Sequence, residues 1–141
     1  MNIKLHRPIV FLDLETTGLN LTTDRVVEIA MIRVNVDGTN LIKRKLVNPE
    51  RPIPEESSAI HGITNEISTN SGHHIFEILT EFFQHLRSVD KLVGHNIIFD
   101  INMIKIELLR IINSNFMHHK KIKLYKYDFH FLSNYDNISV L

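Results

Sequence analysis

The amino-acid sequence predicts an α/β domain whose sheet is partly antiparallel. Three observations support this class: an apolar run near the start, a β-branched segment that leads into a hairpin turn, and two later segments in which apolar residues recur with helical spacing. The 141 residues suffice for one domain and are too few for two. The hydrophobic share of 43% and the charged share of 23% are ordinary globular values, so disorder of the whole chain is not expected.

The first third of the sequence predicts three strands. Residues 9–12 are apolar throughout, which is typical of a buried central strand. Residues 25–36 are rich in valine and isoleucine, and the pair Asp37-Gly38 then marks a hairpin turn, because glycine tolerates the positive φ that such turns require. Residues 41–47 are expected to return as the antiparallel partner. A further short strand is predicted at residues 91–93.

Two helices are predicted in the second half. Apolar residues recur three and four positions apart in residues 75–86 and again in residues 101–112. Residues 48–58 contain three prolines and are predicted to be a loop, followed by a short helical turn at residues 57–61. Beyond residue 113 the pattern decays, and residues 124–131 fit either a strand or an irregular tail. The lysines of the tail are more typical of a solvated surface than of a phosphate site: Lys120, Lys121, Lys123 and Lys126.

Composition narrows the possible functions. Lysine and arginine total 16 against 16 aspartate and glutamate, so a broad basic field for nucleic acid is absent, although a nuclease could obtain positive charge from metal ions. The absence of cysteine excludes disulfides, thiolate zinc sites and cysteine nucleophiles, and it suits a cytoplasmic location. No segment approaches the roughly 20 apolar residues of a membrane helix, and no export signal is recognisable, so no membrane partner is expected.

Three carboxylates form the candidate centre. Asp13 and Glu15 lie two positions apart at the end of the most apolar strand, so both side chains point to the same face. Two carboxylates on one face repel each other, and burial beside an apolar core raises the free-energy cost further unless a cation is present. Mg²⁺ and Mn²⁺ suit such a site because they prefer oxygen ligands. Asp100 opens the second helix after a strand, where α/β sheets bind ligands. A purely structural interpretation is also open for each residue. Asp13 and Glu15 could point into solvent at the end of the strand, and Asp100 could only stabilise the start of its helix.

Three motifs in order resemble the DnaQ-like, DEDD-type 3′–5′ exonucleases, a family typified by the proofreading ε subunit of DNA polymerase III. Residues 11–19, Phe-Leu-Asp-Leu-Glu-Thr-Thr-Gly-Leu, resemble the first exonuclease motif. Residues 93–96, Val-Gly-His-Asn, together with Phe99-Asp100, resemble the second. Residues 60–64, Ile-His-Gly-Ile-Thr, match the signature between them. The resemblance covers residues 7–112 of a single domain and leaves residues 113–141 as an unmatched tail.

The resemblance implies a fold, a reaction and a site. The fold would be RNase H-like, with a mixed sheet that includes an antiparallel hairpin and is flanked by helices. The reaction would be hydrolysis of terminal phosphodiesters of DNA or RNA at a single-stranded 3′ end, with two Mg²⁺ or Mn²⁺ ions. A DNA polymerase subunit is a further implied partner. Asp13, Glu15 and Asp100 would be catalytic metal ligands, with Asp13 bridging both ions. The residues that approach the terminal nucleotide would be Thr16, Thr17, Gly18 and Leu19. His61 would line the pocket for its base, and Asn96 and Phe99 would shape the second side of this pocket.

The third motif of this family, H-x-x-x-x-D, supplies a general base and a fourth metal ligand, and no such spacing follows Asp100. His130 and Asp136 are one residue too far apart, and His95 is not assigned as the base, because a lone histidine is more often structural. The tail also looks too short for the usual last strand and helices, so a C-terminally truncated domain is expected. Three hypotheses stay open: a weak or inactive fragment, an active short exonuclease, and a non-catalytic module that binds nucleic-acid ends or a polymerase.

Overall fold

The computed structural model describes residues 4–89, 91–114 and 138–140. In chain order their elements are β1 (Ile9–Thr16), β2 (Val26–Val34), β3 (Asn40–Leu46), α1 (Glu55–His61), α2 (Asn65–Ser71), α3 (Ile75–Leu86), β4 (Lys91–Gly94), α4 (Ile97–Asn113) and β5 (Ile138–Val140). Each strand predicted from the sequence is present, and the helix predicted at residues 75–86 has the predicted bounds.

The strands form one mixed sheet in the order β3-β2-β1-β4-β5. β1 pairs antiparallel with β2 and parallel with β4, β2 pairs antiparallel with β3, and β5 joins parallel to β4. The predicted α/β class and the antiparallel hairpin are therefore confirmed, and β1 is central. Gly38 in the hairpin turn has a φ of 85°, the conformation for which the turn needs glycine.

β1 extends four residues beyond its apolar run. Its pairing with β2 continues through Asp13 opposite Ala30 and Glu15 opposite Glu28 before the register shifts. Alternation along β1 places Val10, Leu12 and Leu14 in the core that α3 and α4 cover. The two carboxylates therefore stand on the opposite face, and they are part of the sheet rather than of a turn beyond it.

Three helices differ from the sequence predictions. α1 begins at Glu55, two residues before the predicted helical turn. α2 was not predicted, because its polar sequence lacks apolar periodicity; the Thr64 side chain caps it by accepting from the Ile67 backbone N–H at 3.2 Å. α4 begins at Ile97, four residues before the predicted start, since Ile97 is itself buried in the core. This early start places Asp100 inside the first helical turn.

The expectation that the tail lacks room for a last strand is wrong. Residues 138–140 form β5, and Val93 of β4 pairs with Ser139. A three-residue strand was not visible in the sequence because it is too short to show a pattern. The predictions for residues 120–131, and those for His130 and Asp136, fall outside the described residues. In the described part of the chain, no helix is long and apolar enough to cross a membrane.

Candidate active site

A cleft opens at the end of β1, where the loop after β1, the helix α1 and the start of α4 meet. Its volume of about 560 Å³ lies within the usual range of small-ligand sites. The structure brings every site residue predicted from the sequence to this cleft: Asp13, Glu15, Thr16, Thr17, Gly18, Leu19, His61, Asn96, Phe99 and Asp100. These residues come from three segments that are far apart in the sequence, so their convergence is a property of the fold.

The parallel pairing of β1 with β4 positions the acidic residues. It places the chain leaving β4 beside the second half of β1, and α4 then starts at once with Asp100 in its first turn. Gly94 makes this approach possible, because a Cβ there would lie 2.8 Å from the Leu12 carbonyl oxygen. Asp13 is exposed to the cleft, whereas only 4% of Asp100 is exposed.

The three carboxylates interact electrostatically. Burial, followed by repulsion from Asp13 and Glu15, raises the pKa of Asp100 to about 7. Burial and repulsion from Asp13 also raise the pKa of Glu15, while His61 and Arg44 act in the opposite direction. The cleft therefore holds carboxylates whose ionisation is mutually unfavourable.

No described residue forms an ion pair or a side-chain hydrogen bond with Asp13, Glu15 or Asp100. Equally, no three histidine, aspartate or glutamate side chains within the described ranges are arranged so that they could hold a metal ion as they stand. The donor chemistry fits a hard divalent cation, since three carboxylates that form no salt bridge with a described residue face one cleft. The three carboxylates alone would therefore not complete the coordination shell of such an ion.

His61 ends α1 and lines the cleft. Its Nδ1 accepts a hydrogen bond from the Ile63 backbone N–H at 3.1 Å, which assigns the proton of the neutral ring to Nε2. Nε2 is buried, and no hydrogen-bond partner for it exists among the described residues. Gly62 adopts a φ of 75° and ends the helix, so the chain turns back and brings the Ile63 amide to Nδ1. His61 therefore holds a buried N–H donor for which no described residue supplies an acceptor.

The loop after β1 is folded onto Asp24. The Thr17 hydroxyl donates to Asp24 Oδ1 at 2.8 Å, and the Asn20 backbone N–H donates to Oδ2 at 2.9 Å. A Cβ on Gly18 would lie 2.5 Å from Oδ2, so a larger residue there would displace the Asp24 carboxylate from these bonds. The hydroxyl of Thr17 is thus used within the loop, while Leu19 projects at the rim with 82% of its surface exposed.

Sequence reasoning missed several residues of the cleft. Ser57 of α1 donates from its hydroxyl to the Thr17 carbonyl oxygen at 2.8 Å and joins α1 to the loop. Ile60, 85% exposed, lies at the rim with Leu19. Ile60 belongs to a recognised motif, which was a usable signal, but no local pattern marks the others: Asp24, Pro54, Glu56 and Ser57. His95 also lines the cleft, although it was left unassigned.

Comparison with known proteins gives a consistent result. The family model described as Exonuclease (RNase_T) matches residues 10–139, and so extends beyond residue 112, where the motif resemblance ends. The DNA polymerase III subunit epsilon of Treponema pallidum is 32% identical over 106 residues, which are 74% of this chain and 48% of that protein. The DNA polymerase III PolC-type of Thermotoga petrophila is 35% identical over 103 residues, 72% of this chain and 7% of that protein. The chain thus spans less than half the length of either relative.

The fold is also similar to that of a solved nuclease. The structure of E. coli exonuclease I in complex with a dA16 oligonucleotide aligns with a TM-score of 0.63 at 19% identity, over 78% of this chain and 25% of that one. This likeness confirms the predicted RNase H-like fold. The matches to nucleases do not favour the alternative of a non-catalytic binding module.

Proposed function

Because the chain belongs to the exonuclease family, we propose that it removes nucleotides from the 3′ end of single-stranded DNA or RNA. The observation that carries this proposal is the cleft itself. It combines three carboxylates that form no salt bridge with a described residue, a loop held in place by hydrogen bonds to Asp24, and an exposed apolar rim. The 3′ end of a nucleic acid offers anionic phosphate oxygens, which metal ions could bridge to the carboxylates, and a base, which could contact the apolar rim.

Asp13, Glu15 and Asp100 would hold two divalent ions, Mg²⁺ or Mn²⁺. When bound, such ions supply an activated water and stabilise negative charge on the phosphate. By the family resemblance, Asp13 would be a ligand of both ions. It is also the exposed member of the set, and its charge raises the pKa of both other carboxylates. Asp100 must lose its proton to become a ligand, and its raised pKa makes this loss depend on pH near neutrality.

The remaining cleft residues would hold the terminal nucleotide. Leu19 and Ile60 present apolar surface at the rim, where a base can pack instead of facing water. His61 would donate from Nε2 to an acceptor on the nucleotide, which would satisfy a buried donor that has no partner among the described residues. Asn96 and Phe99 would bound the opposite side. The Thr16 hydroxyl donates to the Gly18 carbonyl at 2.6 Å and would keep the loop backbone close to the nucleotide.

The relatives suggest a setting for this activity. Two of them are DNA polymerase III proteins, so a DNA polymerase subunit is the proposed protein partner and the cytoplasm the proposed location. DNA is accordingly the first substrate to test.

The direct test incubates the chain with a 5′-labelled single strand and Mn²⁺. We expect products that shorten one nucleotide at a time from the 3′ end, and loss of this activity in Asp13→Asn. Glu66→Gln, which removes an exposed carboxylate of α2 outside the cleft, is the matched control and should act like the parent. Internal cleavage, or equal activity in Asp13→Asn, would contradict the proposal.

A further inference from the structure

Helix α4 carries a second buried carboxylate, Glu107, which is not one of the three carboxylates of the cleft. Glu107 is 1% exposed, and Arg25 Nε donates to its two oxygens at 2.9 and 3.1 Å. The Val26 backbone N–H adds a third hydrogen bond at 3.1 Å. Burying an ion pair costs desolvation energy and often adds little net stability, so this arrangement is better explained by positioning than by stability.

Arg110 lies one helical turn beyond Glu107 and reaches the loop after β1. Its Nη1 is 3.3 Å from Glu107 Oε1, and its guanidinium donates to three loop carbonyl oxygens. These are the carbonyls of Asp24 at 2.9 Å, Thr22 at 2.9 Å and Leu21 at 3.3 Å. The planar, multidentate guanidinium suits this task, and a lysine ammonium could not reproduce it.

The same loop carries the residues that line the cleft. Its internal hydrogen bonds join Thr17 and Asn20 to Asp24, so the segment is held together as one unit. Arg51 also donates to the Thr23 carbonyl from the outside. The position of this unit relative to the rest of the cleft is therefore set by its outer contacts, among which Arg110 supplies three.

We propose that Arg110, oriented by Glu107, is a positioning residue for the nucleotide-binding loop, residues 17–24. Asp100 and Arg110 are ten residues apart on α4, or about 15 Å along one rigid helix. One end of the helix carries an acidic residue of the cleft, and the other holds the loop that lines it. The helix thereby fixes the distance between the site for the scissile phosphate and the site for the terminal nucleotide. This inference rests on the proposed function for the meaning of the loop.

The proposal predicts a selective defect in Arg110→Ala. Without the guanidinium, three carbonyls lose their donor and the loop samples other positions. If the binding position is then occupied about a tenth of the time, the dissociation constant for the nucleotide end rises about tenfold. The acidic residues do not depend on Arg110, so the affinity for Mn²⁺ should stay within about twofold.

The experiment measures three quantities in the parent, Arg110→Ala, Arg110→Lys and the control Arg87→Ala, whose exposed side chain lies outside this network. The first is amide hydrogen exchange of residues 17–25. The second is the affinity for a fluorescent single strand whose 3′ phosphorothioate linkage resists hydrolysis, and the third is the affinity for Mn²⁺. We expect faster exchange and weaker strand binding in both Arg110 variants, no change in Mn²⁺ affinity, and parental values in Arg87→Ala.

Guanidinium ions supply a further test, since they can refill the space left by Arg110→Ala. Low-millimolar guanidinium, compared with equal sodium chloride, should restore strand affinity in Arg110→Ala and leave Arg87→Ala unchanged. Parental loop exchange in Arg110→Ala would overturn the inference, as would equal losses of strand and Mn²⁺ affinity. If the parent itself fails to bind the strand while loop exchange responds to Arg110, the proposed function fails and the positioning of the loop stands.

Discussion

At the residue scale, Asp100 is the group through which pH should act on this protein. Its pKa is raised from an ordinary value near 3.8 to about 7 by burial and by two neighbouring carboxylates. The protonated form is therefore favoured in the folded state. The contribution of protonated Asp100 to the free energy of unfolding is fully present below about pH 4 and is lost as the pH rises through about 7.

Asp100→Asn should remove this dependence, because the amide resembles the protonated acid and does not ionise. In metal-free buffer the variant should exceed the parent in free energy of unfolding by up to about 4 kcal/mol at pH 8, with the advantage vanishing near pH 4. Chemical denaturation at several pH values, with EDTA present, measures the difference. An advantage that is constant from pH 4 to pH 8 would contradict the assignment.

Gly18 offers a second prediction at this scale. A methyl group there would approach the Asp24 carboxylate at 2.5 Å, so Gly18→Ala should cost about 1–3 kcal/mol. The same substitution in an Asp24→Ala background should cost less, because the clash is gone. A double-mutant cycle of unfolding free energies measures the coupling. Additive effects would show that the Asp24 carboxylate does not restrict Gly18.

Sequence reasoning reached the residues that follow simple periodicity or a recognised motif. Asp13 and Glu15 could be predicted to share a face because strand side chains alternate. Glu107 and Arg110 could not be distinguished from an ordinary surface pair spaced three apart on a helix. Their partners, Arg25 and the loop carbonyls, lie some 80 residues away in the chain. Such partners are known only once the fold is known.

At the scale of elements, α2 shows the importance of a local cap in a helix without an apolar face. The Thr64 hydroxyl accepts the Ile67 N–H, so Thr64→Ala should lower the free energy of unfolding by about 1 kcal/mol. Thr69→Ala is the matched control within the same helix. It removes a β-branched residue from an exposed interior position and should be neutral or slightly stabilising. Equal losses in the two variants, measured by urea denaturation, would argue against the cap.

Element boundaries were predicted less well than element types, for a physical reason. β1 continues past its apolar run because backbone pairing with β2 does not depend on the side chains of Asp13 and Glu15. α4 starts early because Ile97 packs into the core as the chain leaves β4. In both cases contacts with other parts of the fold, and not the local sequence pattern, decided where the element begins or ends. These two extensions place the acidic residues within regular structure, which holds them more rigidly than a loop would.

At the scale of the whole molecule, the mixed sheet assembles the site. The antiparallel hairpin supports β1 on one side, and the parallel strand β4 delivers α4 on the other. The formal net charge is zero, so attraction of a polyanion must come from local charge or from bound cations. The cleft itself contributes carboxylates. Its affinity for a nucleic-acid end is therefore expected to depend on a divalent ion.

Calorimetric titration of Mn²⁺ into the parent, Asp13→Asn, Asp100→Asn and the control Glu66→Gln tests most directly whether the three carboxylates bind divalent ions. The titration is repeated near pH 6 in buffers of different ionisation heat, so that protons released on binding are counted. We expect Mn²⁺ binding with proton release in the parent and in Glu66→Gln, and a loss of affinity of at least about tenfold in the two cleft variants. Equal Mn²⁺ affinity in all four proteins would contradict this expectation.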